Sequence, residues 1–159
     1  MPPVFEKKIA PPDQLASRIE SLAQPIVFTN GVFDLLHRGH VTYLAQARAH
    51  GASLIVALND DASTQRLGKG SDRPINALSD RLAVVAALEC VSLVTWFSED
   101  TPIKLIQAIT PQVLVKGGDW PIHEIVGGDW VQQHGGQVLS IAFTHERSTT
   151  RMLERIRQR

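Results

Sequence analysis

Apolar and polar residues fall in blocks along this chain, and the blocks follow two periods. Unbroken apolar runs at Ile26-Val27-Phe28, Leu54 to Leu58, Leu93 to Phe97, Val113-Leu114-Val115 and Val138 to Ile141 predict five strands buried on both faces. Between them apolar residues recur at helical spacing. Leu15, Ile19 and Leu22 predict a short helix after Pro11-Pro12, with Asp13 as its cap. Val41, Leu44, Ala45 and Ala47 predict a helix that starts near Gly39 and stops at Gly51. Leu82, Val85, Ala86 and Leu88 predict one over Asp80–Glu89, and Thr101 caps another with Pro102 at its first position. A weaker helix covers 128–134. Ser148-Thr149-Thr150 opens a basic C-terminal helix carrying Met152, Leu153 and Ile156. Residues 59–77 are polar and hold Gly68, Gly70 and Pro74, so they read as a loop of functional length with room for a short helix.

Strands that alternate with helices, and that are apolar throughout, argue a parallel sheet covered on both sides. The expected fold is α/β: a single Rossmann-like, doubly wound, mainly parallel five-stranded sheet with helices on both faces. Residues 1–23 read as an N-terminal helical extension and 24–159 as the domain proper. Such sheets bind ligands outside the carboxyl ends of their strands, where the strand order reverses. The informative segments are therefore 29–40, 59–73, 116–120 and 143–150.

Composition narrows the ligand. The chain has 159 residues, the length of one domain. Sixteen Lys and Arg balance sixteen Asp and Glu. A net charge of zero offers no long-range attraction for nucleic acid or an anionic membrane, so neither is expected as a partner. An anionic ligand has to be held by backbone N–H groups, helix starts and a few placed cations. The single cysteine, Cys90, sits among apolar neighbours and reads as an inert thiol in a reducing compartment. No leader-like segment opens the chain, and no apolar run approaches the roughly 18 residues of a membrane helix. A cytoplasmic protein is expected.

The run Thr29-Asn30-Gly31-Val32-Phe33-Asp34-Leu35-Leu36-His37-Arg38-Gly39-His40 leads from a strand into a helix. A helix start presents unpaired N–H groups and about half a positive charge, so it suits phosphate. His37 and His40, three apart across that start, can turn both rings to one anion; a structural pair is the alternative. Arg81 stands at a helix start, where the dipole disfavours a cation, which points to a ligand or an acidic partner. Lys116-Gly117-Gly118-Asp119 ends a strand with two glycines that let a ligand approach and a carboxylate that could hold a ribose hydroxyl. Trp120 could stack on a ligand or simply pack. Ser148-Thr149-Thr150 places three hydroxyls at a helix start where an ordinary cap uses one. Gly127-Gly128-Asp129-Trp130 echoes the earlier motif but follows no strand, and takes no site.

Gly31-Val32-Phe33-Asp34 followed by His37-x-Gly39-His40 resembles the signature of the HxGH nucleotidyltransferases, the superfamily of cytidylyltransferases and adenylyltransferases. Lys116 to Asp119 and Ser148 to Thr150 fall where that superfamily keeps nucleotide-binding motifs. Asn59 to Ser63, Arg73-Pro74-Ile75-Asn76, Arg81, Ala87-Leu88-Glu89 and Asp100-Thr101-Pro102 resemble its branch that adenylylates a heptose 1-phosphate. The resemblance spans about residues 24–157. It implies transfer of a nucleotidyl group from ATP to a sugar 1-phosphate, with Mg²⁺ held mainly by the nucleotide phosphates, and a homodimer. It implies catalytic roles for His37, His40 and Lys69. It implies nucleotide contacts from Thr29, Asn30, Gly31, Phe33, Asp34, Gly39, Lys116, Gly117, Gly118, Asp119, Ser148, Thr149 and Thr150. Substrate contacts are implied for Asn59, Arg73 and Arg81, and Arg147 and Arg151 are further candidate phosphate partners. A cytidylyltransferase for a small phosphorylated alcohol and a non-catalytic nucleotide-binding module remain open at this point.

Overall fold

Each of the five apolar runs forms a strand: β1 Ile26–Gly31, β2 Ser53–Asn59, β3 Leu93–Phe97, β4 Val113–Gly117 and β5 Gln137–Ile141. The computed structural model describes residues 1–68, 70, 72–145 and 148–158. Lys69 and Arg147, named above, lie outside the described residues. All strand pairings are parallel, in the order β3-β2-β1-β4-β5. The sheet is thus wholly parallel, and its order reverses at the β1/β4 boundary.

Alternate residues of one strand feed opposite cores, as the two-residue period of a strand requires. Val27, Leu54, Val56, Leu58 and Val94 pack on one side with Tyr43, Leu44, Ala47, Leu82 and Val85. These come from helices α2 (Arg38–Arg48) and α4 (Leu78–Ala86). Ile26, Phe28, Ile55, Leu93, Phe97 and Leu114 pack on the other side with Ile106, Ile109 and Val131. Those come from α5 (Ile103–Ile109) and α6 (Gly128–Gln133). Each fully buried Leu or Ile contributes about 1.5–3 kcal/mol, so the two layers are the main source of stability. The N-terminal segment reaches both layers: Phe5 and Ile9 pack on the first, Ala10 and Leu15 are buried in the second, and Ala10 N–H donates to the Val94 carbonyl at 2.8 Å.

Helix ends depart from expectation where local caps were assumed. Asp13 lies inside a tight turn, Pro12–Gln14, that leads into α1 (Leu15–Ile19), and it caps nothing. Pro102, one residue later than Thr101, is the cap of α5, with no side-chain bond. Helix α4 begins two residues before Asp80 because the backbone of Ile75 and Asn76 is already held by Asp34, leaving Ala77 as the first extended cap. The 59–77 loop does contain a short helix, α3 (Asp61–Arg66), where the Asp60 carboxylate accepts from Ser63 N–H at 2.7 Å. Helix α7 (Thr149–Arg157) is capped by Ser148, whose hydroxyl oxygen accepts from Arg151 N–H at 3.1 Å. Cys90 packs half-buried against the first core layer, and burial pushes its thiol pKa up.

Candidate active site

Strand β1 is fully registered with β2, from Ile26 opposite Ser53 to Gly31 opposite Leu58. Its register with β4 runs through two pairs among the described residues, Val27 with Val113 and Phe28 with Leu114. The two central strands therefore part as they reach their carboxyl ends, and the site lies in the resulting crevice.

Beyond Gly31 the chain turns sharply. Phe33 holds a left-handed backbone, φ 48°, uncommon for a residue with a side chain. His37, extended, is the cap of α2. The helix thus starts at Arg38, one residue before Gly39. The rings of His37 and His40 stack at 3.9 Å between centroids and 20° between planes, and Phe33 meets His40 edge-on at 5.3 Å. Gly39 is what permits the stack. A Cβ there would stand 3.0 Å from the His37 ring and 3.3 Å from the His145 carbonyl oxygen.

These residues line a cavity of about 510 Å³. It gathers Asn30, Gly31, Phe33, Asp34, His37, His40, Arg73, Lys116, Gly117, Ser148, Thr149 and Thr150, twelve of the residues singled out from sequence, together with Tyr43, Trp120 and Phe143. Two helix starts, those of α2 and α7, converge on it, and both present polarised N–H groups. Thr149 ties them together, its hydroxyl donating to the Leu35 carbonyl at 3.2 Å. Two of the three hydroxyls at the start of α7 thus have structural partners, and Thr150 is exposed at the cavity.

The 59–77 loop and α4 are anchored to the site by two ion pairs, each with a buried arginine. Asp34, whose side chain is fully buried, accepts from Arg73 Nε at 2.7 Å and from the backbone N–H groups of Ile75 and Asn76 at 2.9 Å. Arg81, also fully buried, pairs with Asp61 at 2.7 Å. Its other nitrogens donate to the carbonyls of Val32, Asn59 and Asn76 at 2.7, 2.9 and 3.0 Å. Arg81, for which a substrate contact was expected, thus spends its guanidinium on protein acceptors and lines neither the cavity described above nor the one adjoining it.

Four other candidates are also placed differently. Thr29 is completely buried beneath the cavity, and its hydroxyl pairs with Tyr43 Oη at 2.5 Å. Gly117 lines the cavity, yet its missing side chain makes room for protein rings and not for a base: a Cβ would stand 2.9 Å from Phe143 and 3.1 Å from Tyr43. Gly118 turns the chain at φ 106°, its N–H bonded to the Ile141 carbonyl at 2.9 Å and its carbonyl to the Ser140 hydroxyl at 2.6 Å. Asp119 is exposed and outside the cavity lining. Tyr43 was missed. As the single tyrosine, three residues after His40 on the same helix, it shares the histidine's face, which was the available signal. Burial pushes its hydroxyl pKa well above the ordinary tyrosine value.

A second cavity of about 350 Å³ adjoins the first. It shares Asn30, Gly31, Val32, Lys116 and Trp120, and adds Asn59, Asp100, Thr101 and Glu124. The ammonium of Lys116 stands 5.7 Å from the Trp120 ring centre at this seam. The first cavity, with histidines, cations and helix starts, suits a polyphosphate. The second, with two carboxylates, an amide and a hydroxyl set among apolar side chains such as Leu67, Leu114, Ile125 and Val126, suits an uncharged, hydroxyl-bearing body.

A parallel sheet of this order, with a paired-histidine helix start at its reversal point, defines a nucleotidyltransferase. The chain belongs to the cytidylyltransferase-like family, whose model matches residues 28–155. It is 52% identical over 156 residues to the D-beta-D-heptose 1-phosphate adenylyltransferase of Bordetella bronchiseptica, a match covering 97% of this chain and 96% of that protein. It is 53% identical over 149 residues to the Bifunctional protein HldE of Azotobacter vinelandii, covering 92% of this chain and 31% of that longer one. Among solved structures, the lipopolysaccharide core biosynthesis protein of Thermoplasma volcanium superposes with a TM-score of 0.61 at 25% identity, over 77% of this chain and 98% of that one. A pantoate-beta-alanine ligase from Francisella tularensis shares the fold alone, with a TM-score of 0.59 at 16% identity, over 89% of this chain and 68% of that one. Among the described residues no helix is long and apolar enough to cross a membrane.

Proposed function

We propose that this chain joins ATP and D-glycero-β-D-manno-heptose 1-phosphate into ADP-heptose and pyrophosphate, in the cytoplasm, as a step toward the lipopolysaccharide core. The observation that carries this reading is the phosphate-type cavity at the reversal point opening directly into a hydroxyl-suited one. The 52% identity along nearly the full length of an enzyme named for this acceptor supports the choice of substrate.

An oxygen of the sugar phosphate attacks the α-phosphorus of ATP. A new P–O bond forms, the bond from the α-phosphorus to the bridging oxygen breaks, and pyrophosphate leaves. The attacking oxygen is already ionised, so the protein supplies placement and charge stabilisation and needs no nucleophile of its own. His37 and His40, with the N–H groups at the start of α2, meet phosphate oxygens. Thr150 and the start of α7 hold the far end of the triphosphate. Lys116, at the seam, reaches the point where the two substrates meet, and Asn59 faces the sugar. Mg²⁺, when bound, would be held mainly by the nucleotide phosphates and water and would offset their charge. That fits the side chains present: among the described residues Asp34 is the one carboxylate lining the first cavity, and both its oxygens are already taken.

The test is incubation with ATP, CTP or GTP, each paired with heptose 1-phosphate or glycerol 3-phosphate, with pyrophosphate followed by phosphorus NMR. Release with ATP and heptose 1-phosphate is expected. Release only with CTP and glycerol 3-phosphate would replace the substrates, and no release with any pair would replace the enzyme by a binding module.

A further inference from the structure

Arg73 is an unusual arginine. Its side chain is 6% exposed, yet it lines the phosphate cavity. Its Nε donates to Asp34, and its two terminal nitrogens make no hydrogen bond among the described residues. A guanidinium so deeply buried, with half its fork unused, faces an anion that completes it. Asp34 is what fixes the direction. Its carboxylate is locked on its other sides by the N–H groups of Ile75 and Asn76, while Asn76 Nδ2 donates back to the Asp34 carbonyl at 3.1 Å. The bond to Arg73 Nε then holds the guanidinium by one edge at the wall of the cavity, with the terminal nitrogens left for another acceptor.

We infer that Asp34 is a positioning residue for the transfer. It aims Arg73 as a two-pronged phosphate clamp, and it neutralises the charge it would otherwise set against the substrate. This rests on the nucleotidyl-transfer reading above. Asp34 touches no reacting atom; its effect on the reaction passes through Arg73.

The experiment is a double-mutant cycle with chemical rescue on the full chain: wild type, Asp34→Asn, Arg73→Ala and the double variant. Each is assayed for kcat and KM with heptose 1-phosphate, and for MgATP affinity by titration. Arg73→Ala should lower kcat about 10²-fold, the cost of removing one charged donor from a developing phosphate charge. Asp34→Asn should lower it by about 10-fold or more with an unchanged fold by circular dichroism, and the double variant should be no worse than Arg73→Ala alone. Millimolar guanidinium should restore Arg73→Ala, where Asp34 remains to orient it, and should not restore the double variant. Multiplying losses, or equal rescue of both, would overturn the inference. Should Asp34→Asn not fold, Arg73→Lys decides: it keeps the charge without the fork, so a loss like that of Arg73→Ala is expected, and wild-type kcat would refute the clamp. If the wild type transfers nothing, the functional reading has failed. The same non-additivity, read in MgATP affinity, then still tests the clamp.

Discussion

Arg81→Lys keeps a positive charge and removes the guanidinium fork. In the native protein that fork serves four acceptors: the carbonyls of Val32, Asn59 and Asn76, and Asp61. A lysine ammonium in the same space reaches the Asp61 carboxylate and one carbonyl, leaving two buried carbonyls without a donor. Each buried acceptor left unmatched costs about 1–3 kcal/mol, so the substitution should destabilise by about 2–6 kcal/mol. The ion pair itself adds little, because the Asp61 side chain is 46% exposed and water screens it. The companion Asp61→Asn should therefore cost less than about 1 kcal/mol. Against a total stability of about 5–15 kcal/mol, Arg81→Lys should still fold while losing a large share of its margin. Urea unfolding followed by far-ultraviolet circular dichroism measures both: the midpoint should fall with an unchanged slope. The reasoning fails if Arg81→Lys unfolds within about 1 kcal/mol of wild type, or if Asp61→Asn is equally costly.

Three further outcomes are expected. His40→Ala should keep the fold and its melting temperature while pyrophosphate release falls by about 10²–10³-fold, the usual cost of one transition-state donor. Tyr43→Phe leaves the buried Thr29 hydroxyl without its 2.5 Å partner and should lower stability by about 1–3 kcal/mol in calorimetry. Burial raises the Tyr43 pKa in the folded state, so the unfolded chain loses this proton first. The tyrosine's contribution is full below about pH 10 and declines as pH rises beyond it, and the alkaline fall in melting temperature should be shallower in Tyr43→Phe. Trp120, 46% exposed at the seam of the two cavities, should report binding: MgATP should quench tryptophan fluorescence in the wild type and leave Trp120→Phe unchanged.

What was readable in the sequence was whatever depends on near neighbours. An unbroken run such as Leu54 to Leu58 leaves no polar position for solvent, so both faces of its strand had to be covered, and the doubly covered sheet followed. The glycine between His37 and His40 shows a close approach two residues away, and the stacked rings realise it. Contacts between distant segments were not readable. The dipole argument flagged Arg81 as misplaced, but its acidic partner lies twenty positions back, and two of its three carbonyls, those of Val32 and Asn59, lie at strand ends brought together only by the sheet. Asp34 read as a residue near phosphate, and its use in holding residues 73–76 needed the fold. Gly117 suggested an opening, which Tyr43 and Phe143, far apart in the chain, fill.

The parting of β1 from β4 after two registered pairs makes two strand edges in the middle of a sheet. An edge elsewhere invites another chain to add a strand, and proteins guard against it with charge, bulges or covering loops. Here the parted ends, Asn30-Gly31 and Lys116-Gly117, line the cavity on which the starts of α2 and α7 converge, a space sized for a small guest. Main-chain polarity is thereby offered to a guest and withheld from aggregation. Because every residue type carries the same main-chain groups, side chains along this crevice can change over time while its hospitality persists.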